Sequence, residues 1–282
     1  MLEISPKDIS VPQLHRYLLG AIGPRPIAFA STISKDGKPN LSPFSFFNVF
    51  SANPPIMIFS PARSGRTNHT KDTYNNVKEV PECVINVVTY DIVQQMSLSS
   101  SPYASDVDEF VKAGLTPVAS DLVKPFRVKE SPVQIECKVI EVKELGFEGG
   151  AGNLVIAEVL KMHIDERILD NNNMIDQQKI DLVGRMGGNW YCRAHGDALF
   201  EVEKPLTTVG IGFDNIPEDI KNSKILTGND LGILGGVEKL PSAEECAEYV
   251  KNNPVKGDKH TEAKRLLSEN KVEEAWKVLL SK

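Results

Sequence analysis

Residues 133–139 read Val-Gln-Ile-Glu-Cys-Lys-Val, and strict alternation of this kind restricts a chain to a half-buried β-strand. Val133, Ile135, Cys137 and Val139 fall on one side of the pleat, and Gln134, Glu136 and Lys138 on the other. The phase slips at Ile140, since Ile140 and Val142 carry the next apolar positions; a residue bulged out of the ladder explains the slip. Similar strand-type runs occupy residues 27–33, 55–60 and 83–88. A further one, residues 154–164, follows the glycine-rich stretch 146–152. Asp36-Gly37 lies just after the first run and marks a hairpin, because glycine takes positive φ freely. Helical stretches are few here: one or two turns over residues 107–113, ended by Gly114, and another over residues 70–80. Antiparallel strands joined by hairpins predict a mainly β fold of barrel type.

The pattern changes near Lys204-Pro205. Ser242-Ala243-Glu244-Glu245 has the form of a capping box, and Ala243, Cys246, Ala247 and Val250 then share one helical face. Leu266 and Leu267 belong to a short helix ahead of Asn270. Val272, Ala275, Trp276, Leu279 and Leu280 form a further apolar stripe. The division predicts a strand domain over residues 1–204 and a helical extension over 205–282. The extension's stripes are accounted for by packing among the helices or on the strands.

Composition narrows the function classes. The chain has 282 residues, 41% of them hydrophobic and 25% charged, so a core of useful size is available without a staple or metal. A net charge of −6 lacks the basic footprint of a nucleic-acid-binding protein. Cys83, Cys137, Cys192 and Cys246 form no Cys-x-x-Cys pair. They read as free thiols of a reducing compartment. The N-terminus has no apolar leader, and no run approaches the ~18–20 apolar residues of a membrane span. The expected location is the cytoplasm. His15, His69, His163, His195 and His260 are scattered, and no G-x-S-x-G, H-E-x-x-H or G-x-x-x-x-G-K-[ST] motif is present. Neither a catalytic residue nor a metal site is expected.

Two segments stand apart. Residues 60–73 read SPARSGRTNHTKDT, which crowds Arg63, Arg66 and Lys71 among Ser60, Ser64, Thr67, Thr70 and Thr73 after an apolar strand. Such a set suits a phosphate dianion, with arginine supplying a fork of donors and lysine a point charge; it is also what a solvated polar loop looks like. Residues 40–48, NLSPFSFFN, interleave Phe44, Phe46 and Phe47 with Ser42, Ser45 and Asn48. That pattern fits an ordinary strand with core aromatics, or one apolar wall with hydrogen-bonding groups for a flat ligand.

An ordered set of short motifs then resembles the flavin reductase–like (flavoredoxin) family. It runs Gly23-Pro24-Arg25-Pro26-Ile27-Ala28, Ser31-Thr32, Asp36-Gly37, Asn40, and Ser42-Pro43-Phe44-Ser45-Phe46-Phe47-Asn48. Lys71-Asp72-Thr73, Asp108-Glu109-Phe110, Ala113-Gly114-Leu115-Thr116 and Glu130-Ser131-Pro132-Val133 with Glu136-Cys137 follow. Gly184-Arg185-Met186-Gly187-Gly188 with Trp190-Tyr191 closes the series, which spans roughly residues 15–195. The resemblance implies an FMN-binding split β-barrel with an α-helical C-terminal extension, assembled as a homodimer with the flavin near the interface. It implies that Ser31 and Thr32 end a flavin-facing strand, and that Asn40, Leu41, Ser42, Ser45 and Phe46 border the ring and ribityl chain. Ser60, Arg63, Lys71 and Thr73 would hold the phosphate, with Arg66 as the alternative cation and Asp72 orienting Lys71 or capping a helix. Arg185 and Trp190 are further candidates from the far end of the domain.

The function implied is that of an NAD(P)H-dependent flavin reductase, an oxidoreductase passing hydride to flavin. The alternatives are a flavoredoxin-like FMN electron carrier served by a protein electron donor, and a non-enzymatic flavin-binding interaction protein. No G-x-G-x-x-G fingerprint is present, so a nicotinamide would bind as a transient substrate.

Overall fold

Eleven strands and nine helices follow from these patterns in the computed structural model, which describes every residue except 203 and 282. The strands are β1 (Ala28–Ile33), β2 (Pro39–Phe44), β3 (Phe47–Ala52), β4 (Pro55–Phe59), β5 (Glu82–Val87), β6 (Pro117–Val118), β7 (Arg127–Val128), β8 (Val133–Glu144), β9 (Asn153–Ile164), β10 (Leu182–Arg185) and β11 (Tyr191–Ala194). Seven of them form one antiparallel sheet in the order β2-β1-β5-β8-β9-β4-β3. β6 pairs with β7 and β10 with β11. Gly37 takes φ 81° in the β1–β2 hairpin. The β8–β9 ladder shifts register between Val139 and Glu141, the position of the predicted bulge, and again between Glu136 and Cys137.

The sheet is not closed into a barrel. Its edges are β2 and β3, which join through Ser45-Phe46 within the segment read as a single strand. The outer edge of β2 is occupied instead by a side chain, since Leu41 N–H donates to the Glu109 carboxylate at 3.1 Å. A carboxylate on an edge amide takes a hydrogen bond that a closing strand would otherwise make.

Pleating sorts side chains into two cores. Ala28, Ala30, Phe44, Met57, Phe59, Cys83, Ile85, Ile135, Cys137 and Val155 pack on one face. Ile27, Phe29 and Leu41 face the other way, against Ile92, Met96, Phe110 and Val183. All four cysteines are free thiols.

Helices are more widely spread than the sequence pattern predicts. The strand region also carries α1 (Val11–Ala21), α2 (Asp72–Glu79), α3 (Val93–Ser99) and α4 (Glu109–Ala113). α4 stops at Gly114, which adopts φ 65°. α1 escaped the sequence reading because it buries none of its residues, so its pattern carries no core stripe.

The chain divides into two compact units, Met1–Phe200 and Glu201–Lys282. The second contains α5 (Glu218–Lys221), α6 (Gly228–Leu234), α7 (Ala243–Asn252), α8 (Lys259–Ser268) and α9 (Val272–Leu280). Ser242 and Glu245 form the expected capping box at the start of α7. Of the stripe predicted for α7, Cys246 alone is buried. The core of this unit gathers Ile216, Ile220, Leu231, Leu234, Leu266 and Leu267 around Trp276, whose Nε1–H donates to Leu234 O at 3.0 Å. Among the described residues no helix is long and apolar enough to cross a membrane.

Candidate functional site

The hairpin end of β1 and β2 carries a buried polar network. Thr32 pairs with Asn40 across the ladder, so both side chains share one face. Asn40 Oδ1 accepts from Thr73 Oγ1 at 2.8 Å and from Thr32 Oγ1 at 3.3 Å. Asn76 Nδ2 donates to Thr32 Oγ1 at 3.1 Å. Asn40 Nδ2 donates to Glu109 Oε1 at 3.2 Å, and the other Glu109 oxygen accepts from Leu41 N–H. One carboxylate thus ties α4 to the side chain and the backbone of β2, while Thr73 and Asn76 tie α2 to the same strand pair. Burial pushes the Glu109 carboxyl up, and the charge of Asp72 adds to this against the opposing pull of Leu41 N–H and Asn40.

The expected site residues separate on this framework. Thr32, Asn40 and Thr73 come together directly. Ser42 pairs with Ala30 and lies on their side of the sheet. Ser31 and Leu41 pair with each other and occupy the opposite face, so Ser31 and Thr32 point apart. The Ser31 hydroxyl is buried without a hydrogen-bond partner.

The loop after β4 explains the choice among cations. Arg63 folds back on its own loop, with Nε donating to Asn68 Oδ1 and Nη2 to Asn68 O, both at 2.7 Å. Its fork staples the loop, and Ser60 is likewise internal: its Oγ accepts from Asn153 N at 3.1 Å, and its N–H donates to Phe46 O at 2.9 Å. Thr73, 1% exposed, has its hydroxyl committed to Asn40. Lys71 and Arg66 are the exposed cations. Lys71 is the N-cap residue of α2 and its side chain makes no capping bond. The first-turn N–H groups of α2 have no partner within the helix, so they and the Lys71 ammonium form a donor set for an anion. Asp72, in that first turn, accepts from Ser105 Oγ at 2.9 Å. The chemistry of these donors fits a phosphate monoester.

At the other end of β1, Arg25 Nε lies 3.5 Å from Ser45 Oγ. Arg25 also bridges Arg185, which places Arg185 away from the Thr32 end. Phe46 is 43% exposed and meets His15 of α1 edge-on, at 6.1 Å between ring centroids.

One further cluster, Asp121, Glu136 and His163, brings together three side chains able to ligate a metal. Its donors are engaged: Glu136 accepts from Asp121 N, Leu122 N and His163 Nε2, and Asp121 pairs with Lys161. Burial opposes ionisation of Glu136, but these hydrogen bonds outweigh it and lower its pKa.

Residues 21–180 match the flavin reductase like domain family. The chain belongs to that family. An uncharacterized protein of Aquifex aeolicus is 37% identical over 205 residues, 71% of this chain and 100% of that protein. The structure of nitrilotriacetate monooxygenase component B from Bacillus cereus is similar, with a TM-score of 0.67 and 29% identity over 72% of this chain and 98% of that one. A putative flavin reductase with a split barrel domain from Shewanella frigidimarina has a TM-score of 0.60 at 26% identity, covering 72% of this chain and 100% of its own. The second unit, residues 201–282, lies outside the matched flavin reductase-like domain.

Family membership supports flavin as the cofactor class. Sequence reasoning gave no role to Glu109, Asn76 or Arg25. Glu109 left a signal, a carboxylate beside Phe110 in a very short helix, but its partners lie 68 and 69 positions away. Arg25 entered the sequence reading only as part of the Gly23–Ala28 motif, and its role was not legible because its partners are chiefly backbone carbonyls.

Proposed function

We propose that this chain is an FMN-binding NAD(P)H-dependent flavin reductase. The observation that carries the reading is the donor set at the start of α2, with exposed Lys71 beside the polar face of Thr32, Asn40 and Ser42. Lys71 and the N–H groups of Thr73 and Tyr74 hold the ribityl phosphate, with Arg66 as the second cation. Arg63 and Ser60 act one step back, by shaping the loop. Ser42 and Ser45 offer hydrogen bonds to the polar edge of the ring, and Phe46 supplies an apolar wall that excludes water. Glu109 and Asn40 keep the strand edge in place. A bound FMN would supply the hydride acceptance and electron transfer, which is why no protein acid or base is required.

The flavin domain comprises residues 1–204, a split-barrel relative whose seven-stranded sheet stays open between β2 and β3, and residues 205–282 form a helical extension. We further propose a cytoplasmic homodimer. Free cysteines support a reducing compartment. Exposed Val11, Tyr17, Leu18 and Ile22 in and just after α1, and exposed Val49 and Phe50 on β3, support a self-association surface. Light scattering giving a monomer mass with flavin bound would remove the dimer.

The absorbance spectrum of the purified protein, followed by NADH and NADPH oxidation with and without added flavin, tests the function. Flavin bands and nucleotide oxidation are expected. Reduction by a protein donor alone would make the chain a flavoredoxin-like carrier, and a protein that binds no flavin would end the proposal.

A further inference from the structure

Arg25 is 6% exposed and sits where three elements meet. Its Nη1 donates to Leu19 O at 2.8 Å and to Ile22 O, at the C-terminal end of α1. Its Nη2 donates to Met186 O at 2.9 Å, in the turn between β10 and β11. Its Nε donates to Ser45 Oγ at 3.5 Å, in the corner between β2 and β3. The first two sides of this cage are fixed against each other, since a Cβ on Gly187 would lie 3.1 Å from Gly20 Cα. The backbone of Arg25 is fixed too: its N–H donates to Arg185 O at 2.9 Å, and its O accepts from Arg185 N–H at 2.8 Å. With both Nη groups held, the planar guanidinium has its Nε–H direction set.

Every acceptor in this set is neutral. Among the described residues Arg25 forms no ion pair with a carboxylate, and Arg185, bridged to it, adds a second positive charge. Burial first, and then the charge of Arg185, lowers the Arg25 pKa, yet a guanidinium stays protonated in a protein. A buried charge without a counter-charge is costly, and it polarises what it touches. Ser45 is the one side chain among its partners.

A hydroxyl has one proton and two acceptor lone pairs. Ser45 Oγ accepts from Arg25, and among the described residues its proton is donated to no protein group. A cation bonded to the oxygen strengthens that proton as a donor. Ser45 is half-buried beside exposed Phe46. Whatever ligand atom meets Ser45 must therefore be an acceptor, and a negatively charged one is favoured most. The donors at Lys71 belong to the hairpin end of β1, through Thr73 and Asn40, so they address a different part of a ligand. Reduction of a flavin puts negative charge on the polar edge of its ring, where a donor fixed in advance stabilises it.

We propose that Arg25 is a positioning residue that acts through Ser45: it holds the Ser45 hydroxyl as a charge-assisted donor to the polar edge of the flavin and so favours the reduced, anionic cofactor over the oxidised one. The effect on the cofactor rests on the reading of this site as a flavin site; the Arg25–Ser45 bond does not.

The test is a redox titration, followed by absorbance, of the purified full-length flavoprotein as wild type, Ser45→Ala, Arg25→Lys and the double variant. Lysine keeps the positive charge but lacks the Nε–H that reaches Ser45, so a direct effect of charge is held constant. Ser45→Ala should weaken binding of reduced relative to oxidised flavin about 10-fold, the lower end for a hydrogen bond to a charged group. That lowers the two-electron midpoint potential by about 30 mV. Arg25→Lys should shift the potential in the same direction, and it should add nothing in the Ser45→Ala background. An unchanged potential in Ser45→Ala would overturn the inference. So would equal shifts from Arg25→Lys with and without Ser45, which would make Arg25 a purely structural residue. A second measurement needs neither flavin nor an arginine variant: hydrogen exchange at Arg25 Nε–H, followed by NMR in the flavin-free protein, should be faster in Ser45→Ala than in wild type. Equal exchange would remove the bond on which the inference stands. A protein that takes up no flavin, with Nε–H exchange still sensitive to Ser45, would overturn the flavin reading and the effect on the cofactor together, leaving only the bond.

Discussion

The two units bury different chemistry. In the strand unit the interior holds Arg25, Ser31, Thr32, Asn40, Thr73, Asn76, Glu109, Glu136 and Asn153 alongside the apolar core. In the helical unit, among the described residues, Ser281 is the one polar side chain classed as buried, and the rest of the interior is aliphatic packing around Trp276. Buried polar groups stabilise a fold only when fully partnered, and they demand particular geometry. The strand unit has accepted that demand where α2 and α4 meet β2, while the helical unit follows the plainest route to a stable core. The contrast separates polar positioning in residues 1–200 from ordinary packing in 201–282.

The comparison breaks most visibly at Trp276. Trp276→Ala should lower the stability of the helical unit by about 3–5 kcal/mol through lost burial and a cavity. Urea unfolding followed by the helical circular dichroism signal checks the loss, and flavin binding should persist. Loss of flavin together with the helices would show that the units do not divide function from packing.

Lys71→Ala tests the other side. A charge-assisted hydrogen bond contributes roughly 1.5–3 kcal/mol, so the FMN dissociation constant should rise about 10- to 150-fold. Riboflavin, which lacks the phosphate, should bind almost as before. Equal small shifts for both flavins in a fluorescence titration would transfer the role to Arg66.

Thr73→Val sharpens the network reading. It removes the 2.8 Å bond to Asn40 without opening a large cavity, so chemical denaturation should show a loss of about 0.5–1.5 kcal/mol. A flavin affinity that falls for FMN and riboflavin alike would mark Thr73 as a residue that positions the strand. A loss confined to FMN would make it a phosphate ligand.

The smallest effect concerns pH. Burial raises the Glu109 pKa in the folded state, so the folded protein holds this proton more tightly than the unfolded chain. Its contribution is fully present below the unfolded value of ~4.3 and is lost as pH rises through the higher folded value. Relative to Glu109→Gln, which does not titrate, the wild type should therefore lose stability across that interval. Denaturation midpoints of the two proteins over mildly acidic pH provide the check, and parallel profiles would refute the shift.

Local pattern carried much of the architecture. The slip at Ile140, the Asp36-Gly37 turn and the Ser242 capping box each involve residues within a few positions of one another and stand where local geometry puts them. In the alternation at Val133–Val139 the apolar face is buried as read, but Glu136, on the face read as wet, is buried too, held by Asp121 N, Leu122 N and His163. The open sheet was not legible in that way. On the free edge of β2 the Leu41 amide is taken by Glu109, 68 positions along the chain, a partner that no local pattern announces.

The site divides along the same line. Sequence alone identified the cation-rich loop, the mixed aromatic strand and the family's ordered motifs, because residue type and order suffice for these. Tertiary structure decided which cation is open. Arg63 and Lys71 read alike in the sequence, yet Arg63 closes on Asn68 while Lys71 stands exposed at the start of α2. It also set Ser31 and Thr32 on opposite faces and brought Arg185 beside Arg25. Residue identity determines what a side chain is able to bind; the folded neighbours determine whether its donors are already engaged.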